Sequence, residues 1–262
     1  MTDPAPVPSR PPAWDRAALR DPHGQQDKAQ RVQAMFNAIA GGYERVNTLA
    51  TFGRDAVWRR RTVAAACVQS TDEVLDVACG TGDMIRAFAH GSPPPARLIG
   101  VDFAREMLDR GDYTGLDVPV ELIEADALQL PLANESVDVV SCAFGVRNFQ
   151  DLQAGLEEMY RVLRTGGRVL ILEFAPPAGR VLRWVYGVYC RVVLPWLGRW
   201  VAGDHVGAYC YLTRSMETFE PPEIMMRRLT DVGFRRVTAQ RMNMGGVVLY
   251  WGEKNRREKN RS

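Results

Sequence analysis

The stretch "LDVACGTGDM", Leu75 to Met84, decides the fold. Leu75 to Val77 complete a short apolar run that starts at Glu73 and has the length of a buried strand, while Asp83 opens a helical pattern. Gly80 and Gly82 therefore fall in a strand-to-helix turn. Glycines in such a turn allow left-handed backbone and let a ligand approach the main chain; they serve a plain tight turn equally well. The nicotinamide fingerprint G-x-G-x-x-G is not met, because the third position counted from Gly80 is Ile85. Hydride transfer is thereby disfavoured.

Outward from this turn, apolar runs of strand length alternate with helical stretches. The runs are EVLDVA, RLIGVD, VPVELIEAD, SVDVVSCAF and RVLILEF, the last after the turn RTGG. Helical patterns fall between them, from Asp83 to His90, Arg105 to Arg110 and Leu152 to Leu163. This alternation predicts an α/β fold with a doubly wound, mainly parallel sheet. Two final runs, FRRVTAQRM and VVLYWGE, are joined by the short turn NMGG and are expected to pair antiparallel at one edge. The expected organisation is a disordered arm at 1–26, a folded domain at 27–252 and a charged tail at 253–262. Within the domain, 27–70 form a helical cap, 71–175 a cofactor-binding core, 176–233 a helical lid and substrate region, and 234–252 the edge strands.

A hydrophobic fraction of 46% and a net charge of +2 over 262 residues suit one packed domain and exclude the basic excess of a nucleic-acid binder. Five cysteines without a CxxC pair argue against a disulfide framework or a zinc site, and no metal site is read. No signal peptide is visible, and the most apolar segment, 181–202, is interrupted by Arg183, Arg191, Pro195 and Arg199. A cytoplasmic location is expected. A homo-oligomer stays open.

Three acids end successive strands. Asp76 lies inside the first strand, where it can face an ammonium group. Asp102 ends the second, where an acid in dinucleotide folds accepts bonds from ribose hydroxyls. Asp126, next to Ala127, ends the third and is either a turn residue or part of an adenine site.

Together with Gly80, Thr81 and Gly82, these acids resemble the class I S-adenosylmethionine-dependent methyltransferases. The resemblance implies a Rossmann-like fold of seven strands, with Asp76 and the Gly80–Thr81–Gly82 turn at the methionine end, Asp102 at the ribose, and Asp126 with Ala127 at the adenine. The family's first glycine is Ala78 here. Longer stretches narrow the likeness. "YERVNTLATFGRDAVW", Tyr43 to Trp58, resembles a signature of the ubiquinone and menaquinone biosynthesis methyltransferases: Tyr43, Asn47, Phe52 and Trp58 match, while Glu44, Val46, Thr51 and Asp55 replace Asp, Met, Ser and His. "YRVLRTGGRVLILEFAPP", from Tyr160, resembles a second signature, with Thr165 replacing its proline and Ala175 its serine, and "AFGVRNFQD", from Ala143, is close to a third. "VLPWLGRWVAGD…AYCYL" is similar to a fourth, with Gly203 in place of Asn.

This resemblance implies C-methylation of a prenylated quinol with S-adenosylmethionine as donor, demethylmenaquinol being favoured over the benzoquinol of ubiquinone synthesis. Another small or lipid acceptor, or a cofactor-binding protein without activity, are the alternatives. A cation beside the ring hydroxyl favours the reactive phenolate. Arg147 with Asn148 is the candidate; the other reading of Arg147 is that it pins a loop carboxylate. Tyr43 either closes the donor site or belongs to the core. Asp204 with His205 is a candidate proton acceptor, or a surface turn. A helix over 180–193, with Trp184, Trp196 and Trp200 in or near it, is expected to form a lid, house the prenyl tail and touch a membrane surface.

Overall fold

The apolar runs become strands of one sheet. The computed structural model describes residues 14, 15, 17–177, 179, 187, 188, 192 and 207–255. Its strands are β1 (Glu73–Val77), β2 (Arg97–Asp102), β3 (Val120–Glu124), β4 (Val137–Ala143), β5 (Leu163–Phe174), β6 (Arg235–Met242) and β7 (Val247–Glu253). They lie in the order β3-β2-β1-β4-β5-β7-β6. The first five are parallel; β7 runs antiparallel to both β5 and β6. This is the expected doubly wound sheet with an antiparallel pair at one edge.

Strand order reverses at β1, which pairs with β2 on one side and β4 on the other. The chain leaves the carboxyl ends of β1 and β4 in different directions, and the crevice between is where such sheets bind ligands. Strand periodicity of two splits the core. Leu75 and Val77 of β1, with Val169 and Ile171 of β5, face one buried layer; Val74, Leu170 and Leu172 face the other. On the first face pack α6 (Leu152–Val162) and α8 (Pro222–Val232). Asp151 caps α6 by accepting from the Ala154 N–H at 3.1 Å, and Pro222 starts α8 where a missing N–H costs nothing. The second face carries α3 (Arg54–Ala66) and α4 (Asp83–Ala89).

Beyond the carboxyl ends lies a third cluster, built from α1 (Lys28–Ile39), α2 (Tyr43–Thr51), the short α5 (Arg105–Leu108) and α7 (Ala208–Thr218). It covers the crevice.

The boundaries of the folded part need correction. The arm expected to be disordered is docked from Trp14: this indole is buried, stacks on Tyr211 at 4.0 Å and lies under the Arg31 guanidinium. A large aromatic ring finds its partner far along the chain, so composition could not reveal it. The charged tail also begins later than expected. Lys254 is buried, and its Nζ donates to the carbonyls of Tyr160 (2.9 Å) and Leu163 (2.8 Å). RTGG, read as a turn, belongs to β5, with a register shift against β4 between Val137 and Val139. Most of the expected lid, with Trp184, Trp196 and Trp200, lies outside the described residues.

Candidate active site

The turn after β1 is left-handed at Ala78 (φ 55°), Gly80 (φ 57°) and Gly82 (φ 83°). Glycine adopts this freely, whereas an alanine there costs about 1 kcal/mol. The Cys79 N–H donates to the Val101 carbonyl at 3.0 Å and ties the turn to β2. Asp102 continues the tie, accepting from Gly80 N–H on Oδ2 and from Ala104 N–H on Oδ1, both at 2.8 Å. Burial pushes its carboxyl up to about 6, against these bonds. Gly82 matters for packing instead. A Cβ there would stand 2.3 Å from the Tyr113 hydroxyl, so its bareness lets that ring lie on the turn.

A cavity opens at these strand ends. Gly80, Asp102, Asp126, Ala127, Tyr43 and Asn148 are on its wall. Asp126 is a turn residue as well, accepting from the Leu128 N–H at 3.0 Å while it borders the cavity. Three predicted residues stand back. Thr81 and Gly82 do not line the cavity; the Thr81 side chain is buried while its carbonyl accepts from Arg86 Nη1 at 2.9 Å. Asp76 is 2% exposed, behind the turn, where the Ser141 hydroxyl donates to its Oδ1 at 2.5 Å. Burial pushes this carboxyl up to about 7, with Ser141 and Arg59 acting the other way.

A second, larger cavity of about 1500 Å³ adjoins the first, and Tyr43 and Phe144 line both. Tyr43 packs edge-on against Phe36 at 5.7 Å, and burial holds its phenol above the ordinary value. It is core and cavity wall together. Aromatic rings dominate the second cavity: Phe144 stacks on Phe174 at 4.4 Å, and Trp58 meets them edge-on at 6.2 and 6.3 Å.

Arg147 lines this second cavity and is buried. Its Nη1 donates to Glu173 Oε1 at 2.9 Å and to the Phe144 carbonyl, while its Nε–H is buried without a partner among the described residues. The arginine therefore pins a strand-end carboxylate, rather than a loop one, and keeps a donor spare. Burial pushes Glu173 above the usual carboxylate range, and Arg147 pulls it back. Phe144 is held at φ 58°, a strained conformation for a bulky residue, by bonds at both ends: its N–H reaches the Leu172 carbonyl at 2.7 Å, and its carbonyl takes Arg147 Nη1. Asn148 parts from Arg147. It stands on the wall of the first cavity, accepting from the Tyr211 hydroxyl at 3.1 Å, so the expected Arg147–Asn148 pair is divided between cavities. Asp204 and His205 lie outside the described residues.

Two joined cavities, one acidic and glycine-lined at a sheet's switch point, the other aromatic and basic, suit transfer of a group between two ligands. A family model described as the ubiE/COQ5 methyltransferase family matches residues 24–254. The chain belongs to that family. It is 40% identical to demethylmenaquinone methyltransferase of Deinococcus radiodurans over 93% of this chain and 96% of the relative. It is also 40% identical to the enzyme of that name from Thermus thermophilus, covering 84% of this chain and all of the relative. Among solved structures, a chain from the complex of the Haloferax volcanii Trm112 methyltransferase activator superposes with a TM-score of 0.62 at 18% identity, covering 84% of this chain and 98% of that one. At such identity the likeness shows the fold alone.

Sequence reasoning missed other charged residues at and beside these cavities. Arg59, on the second cavity, bonds Asp55 Oδ2 at 2.5 Å and Asp83 Oδ2 at 2.8 Å, yet its Nε–H is also buried without a partner among the described residues. Asp55 replaces the histidine of the signature it resembles; burial raises its carboxyl, but Thr51 and Arg59 more than offset this. An arginine and an acid at i,i+4 on one helix were a visible signal for the pair. Nothing local signalled Lys28. Its Nζ donates to the Phe149 carbonyl at 2.5 Å, and burial lowers it to about 8, with Arg147 adding repulsion. Beside it, Ala29 N–H reaches Gln150 Oε1 at 2.9 Å and Gln150 Nε2 reaches the Gln25 carbonyl at 3.0 Å. The N-terminal segment thus clamps the loop that carries Arg147.

Proposed function

We propose that this chain methylates a ring carbon of a prenylated quinol, with demethylmenaquinol as acceptor and S-adenosylmethionine as donor. The observation that carries the reading is the second cavity: aromatic side chains able to flank a flat ring, and two guanidiniums, buried Arg147 and partly buried Arg59, each with a buried Nε–H that has no partner among the described residues. A buried donor without a partner costs free energy until an oxygen meets it. A quinol has two ring oxygens.

The first cavity fits the donor molecule. Each Asp102 oxygen holds one backbone N–H and retains lone-pair capacity for ribose hydroxyls, and Asp126 with Ala127 borders room for a purine. When bound, that molecule supplies an activated sulfonium methyl. The chain's own work is then alignment, exclusion of water and charge. Tyr43 and Phe144, shared by both cavities, bring the ligands together. Arg147 Nε–H donates to a ring oxygen and favours its phenolate, which makes the ring carbon nucleophilic. Asp76 sits behind the turn as a reserve of negative charge for an ammonium group. Asp204 and His205 are proposed to take the hydroxyl proton. Contact with a membrane surface follows from the acceptor's tail.

The deciding experiment offers purified protein demethylmenaquinol and the ubiquinone-pathway benzoquinol side by side and weighs the products. Methylated naphthoquinol in excess supports the reading; methylation of the benzoquinol alone moves it to the other pathway, and no product with either removes it.

A further inference from the structure

The hairpin formed by α2 and α3 turns its inner face to the second cavity and leaves a peculiar outer face. Leu49, Phe52 and Val57 are 53%, 83% and 37% exposed, large apolar side chains gathered around the bend at Phe52–Gly53. Exposed residues of this kind are ordinary singly; three at one tip are a patch. Helical spacing adds arginines behind it. Arg45 stands one turn from Leu49, while Arg54, Val57 and Arg61 share one stripe of α3, with Arg60 next to it. All four arginines are exposed, and among the described residues none has a salt bridge. The hairpin's acids are already matched: Glu44 pairs with Arg86 at 3.1 Å and Asp55 with Arg59 at 2.5 Å. The outer face is therefore apolar around the bend, with Arg54 at the bend itself and Arg45, Arg60 and Arg61 set behind it.

We propose that this tip docks on an anionic lipid surface. Depths agree. With about 1.5 Å of rise per residue, Val57 lies roughly 5 Å and Arg61 roughly 10 Å along α3 from its start, so apolar groups enter the acyl boundary while the Arg60 and Arg61 guanidiniums lie at the depth of the phosphates and Arg54, at the bend, extends its long side chain toward them. Each arginine near such a surface raises partition about fivefold. Phe52 and Arg54 belong both to the exposed tip and to the wall of the second cavity, so a docked tip sets the cavity mouth against the membrane. No helix of the described residues is long and apolar enough to cross a membrane. The inference deepens the proposed function, since a prenylated acceptor resides in that membrane, but its test does not depend on it.

The test sediments the full chain with vesicles of phosphatidylcholine alone and with phosphatidylglycerol mixed in. Binding to the anionic vesicles is expected, weakening as salt rises. The paired variants Leu49→Ser with Val57→Ser, and Arg60→Ala with Arg61→Ala, neither of which touches a cavity wall, are expected to lose at least about tenfold of this binding. Both should keep wild-type turnover on a short-tailed quinol in solution and lose it on long-tailed quinol held in vesicles. Failure of wild type to bind anionic vesicles, or unchanged binding by both variants, overturns the proposal. A wild-type dimer that Leu49→Ser with Val57→Ser dissociates in sedimentation velocity overturns it too, assigning the patch to a second copy. Vesicle binding without methylation of any quinol leaves the docking surface standing and removes the acceptor instead.

Discussion

The two cavities are built by different rules. The first takes half of its wall from the carboxyl ends of β1, β2 and β3 and the loops just beyond them, and most of the rest from the end of β4 and the loop after it, with Ala29, Phe36 and Tyr43 closing it from α1 and α2. The second joins α2 and α3 to the end of β5, to α7 and to the turn before β7, segments up to some two hundred residues apart. A strand-end site is positioned by the sheet; a site between helices is positioned by side-chain pairs such as Arg147–Glu173 and Arg59–Asp83. Substitutions in the first should therefore alter one ligand's binding, while substitutions in the second should alter fold and turnover together.

The sharpest break comes from Arg147→Ala. It leaves Glu173, fully buried, without its cation, which costs about 3–5 kcal/mol. It also removes the spare donor from the second cavity, for a loss of about 100-fold in turnover. The two effects separate in the pair Arg147→Met with Glu173→Gln. Thermal unfolding should return most of the way to wild type because no buried charge is stranded, while turnover stays low and calorimetric affinity for S-adenosylhomocysteine is kept. Recovery of turnover in the pair would make Arg147 structural.

The same contrast explains what could be read from the sequence. The existence of the strands, the antiparallel edge pair and the acids near the ends of β2 and β3 were legible because side-chain alternation and strand-end geometry are local, whereas RTGG joined β5 against its turn-like composition. Asp76 was legible as an acid near the turn but not in its orientation: whether a strand residue faces the ligand or the interior depends on Ser141 across the sheet. Arg147 stood out in its motif, yet its partner Glu173 follows only from β4 lying beside β5. The clamp of Lys28 and Gln150 and the docking of Trp14 on Tyr211 depend on tertiary placement of the arm, which no propensity encodes.

Asp76 offers a pH test of the division. Its folded carboxyl is near 7 against an ordinary 3.8, so the folded state holds the proton more tightly than the unfolded chain. Its contribution to stability is full below 3.8 and is lost as pH rises through 7. Without ligand, Asp76→Asn should flatten the fall in melting temperature over that window. An ammonium-bearing ligand selects the ionised form, so wild-type affinity for S-adenosylhomocysteine should strengthen between about pH 6 and 8 through this group, and the Asn variant should lose that slope. An identical slope in both proteins would assign the pH dependence elsewhere in the first cavity, with Asp102, pushed up to about 6, as the next group to replace.

Ala78→Gly probes the smallest difference. Ala78 holds φ 55° where glycine is the natural choice, and relief of that strain is worth about 1 kcal/mol. Glycine also makes the unfolded chain freer, which takes back about 0.5–1 kcal/mol. The net change in stability should therefore be a few tenths of a kcal/mol at most in either direction. Binding is the more telling readout. A Cβ on Gly145 would sit 2.7 Å from the Ala78 methyl, so that methyl packs against the Phe144–Gly145 bend at the end of β4 and braces one wall of the first cavity. Removing it should leave acceptor kinetics unchanged and weaken S-adenosylhomocysteine by less than about threefold, as expected for one methyl. A larger loss confined to turnover would mean that the brace acts through Phe144 on the second cavity, and that the two sites are set as one.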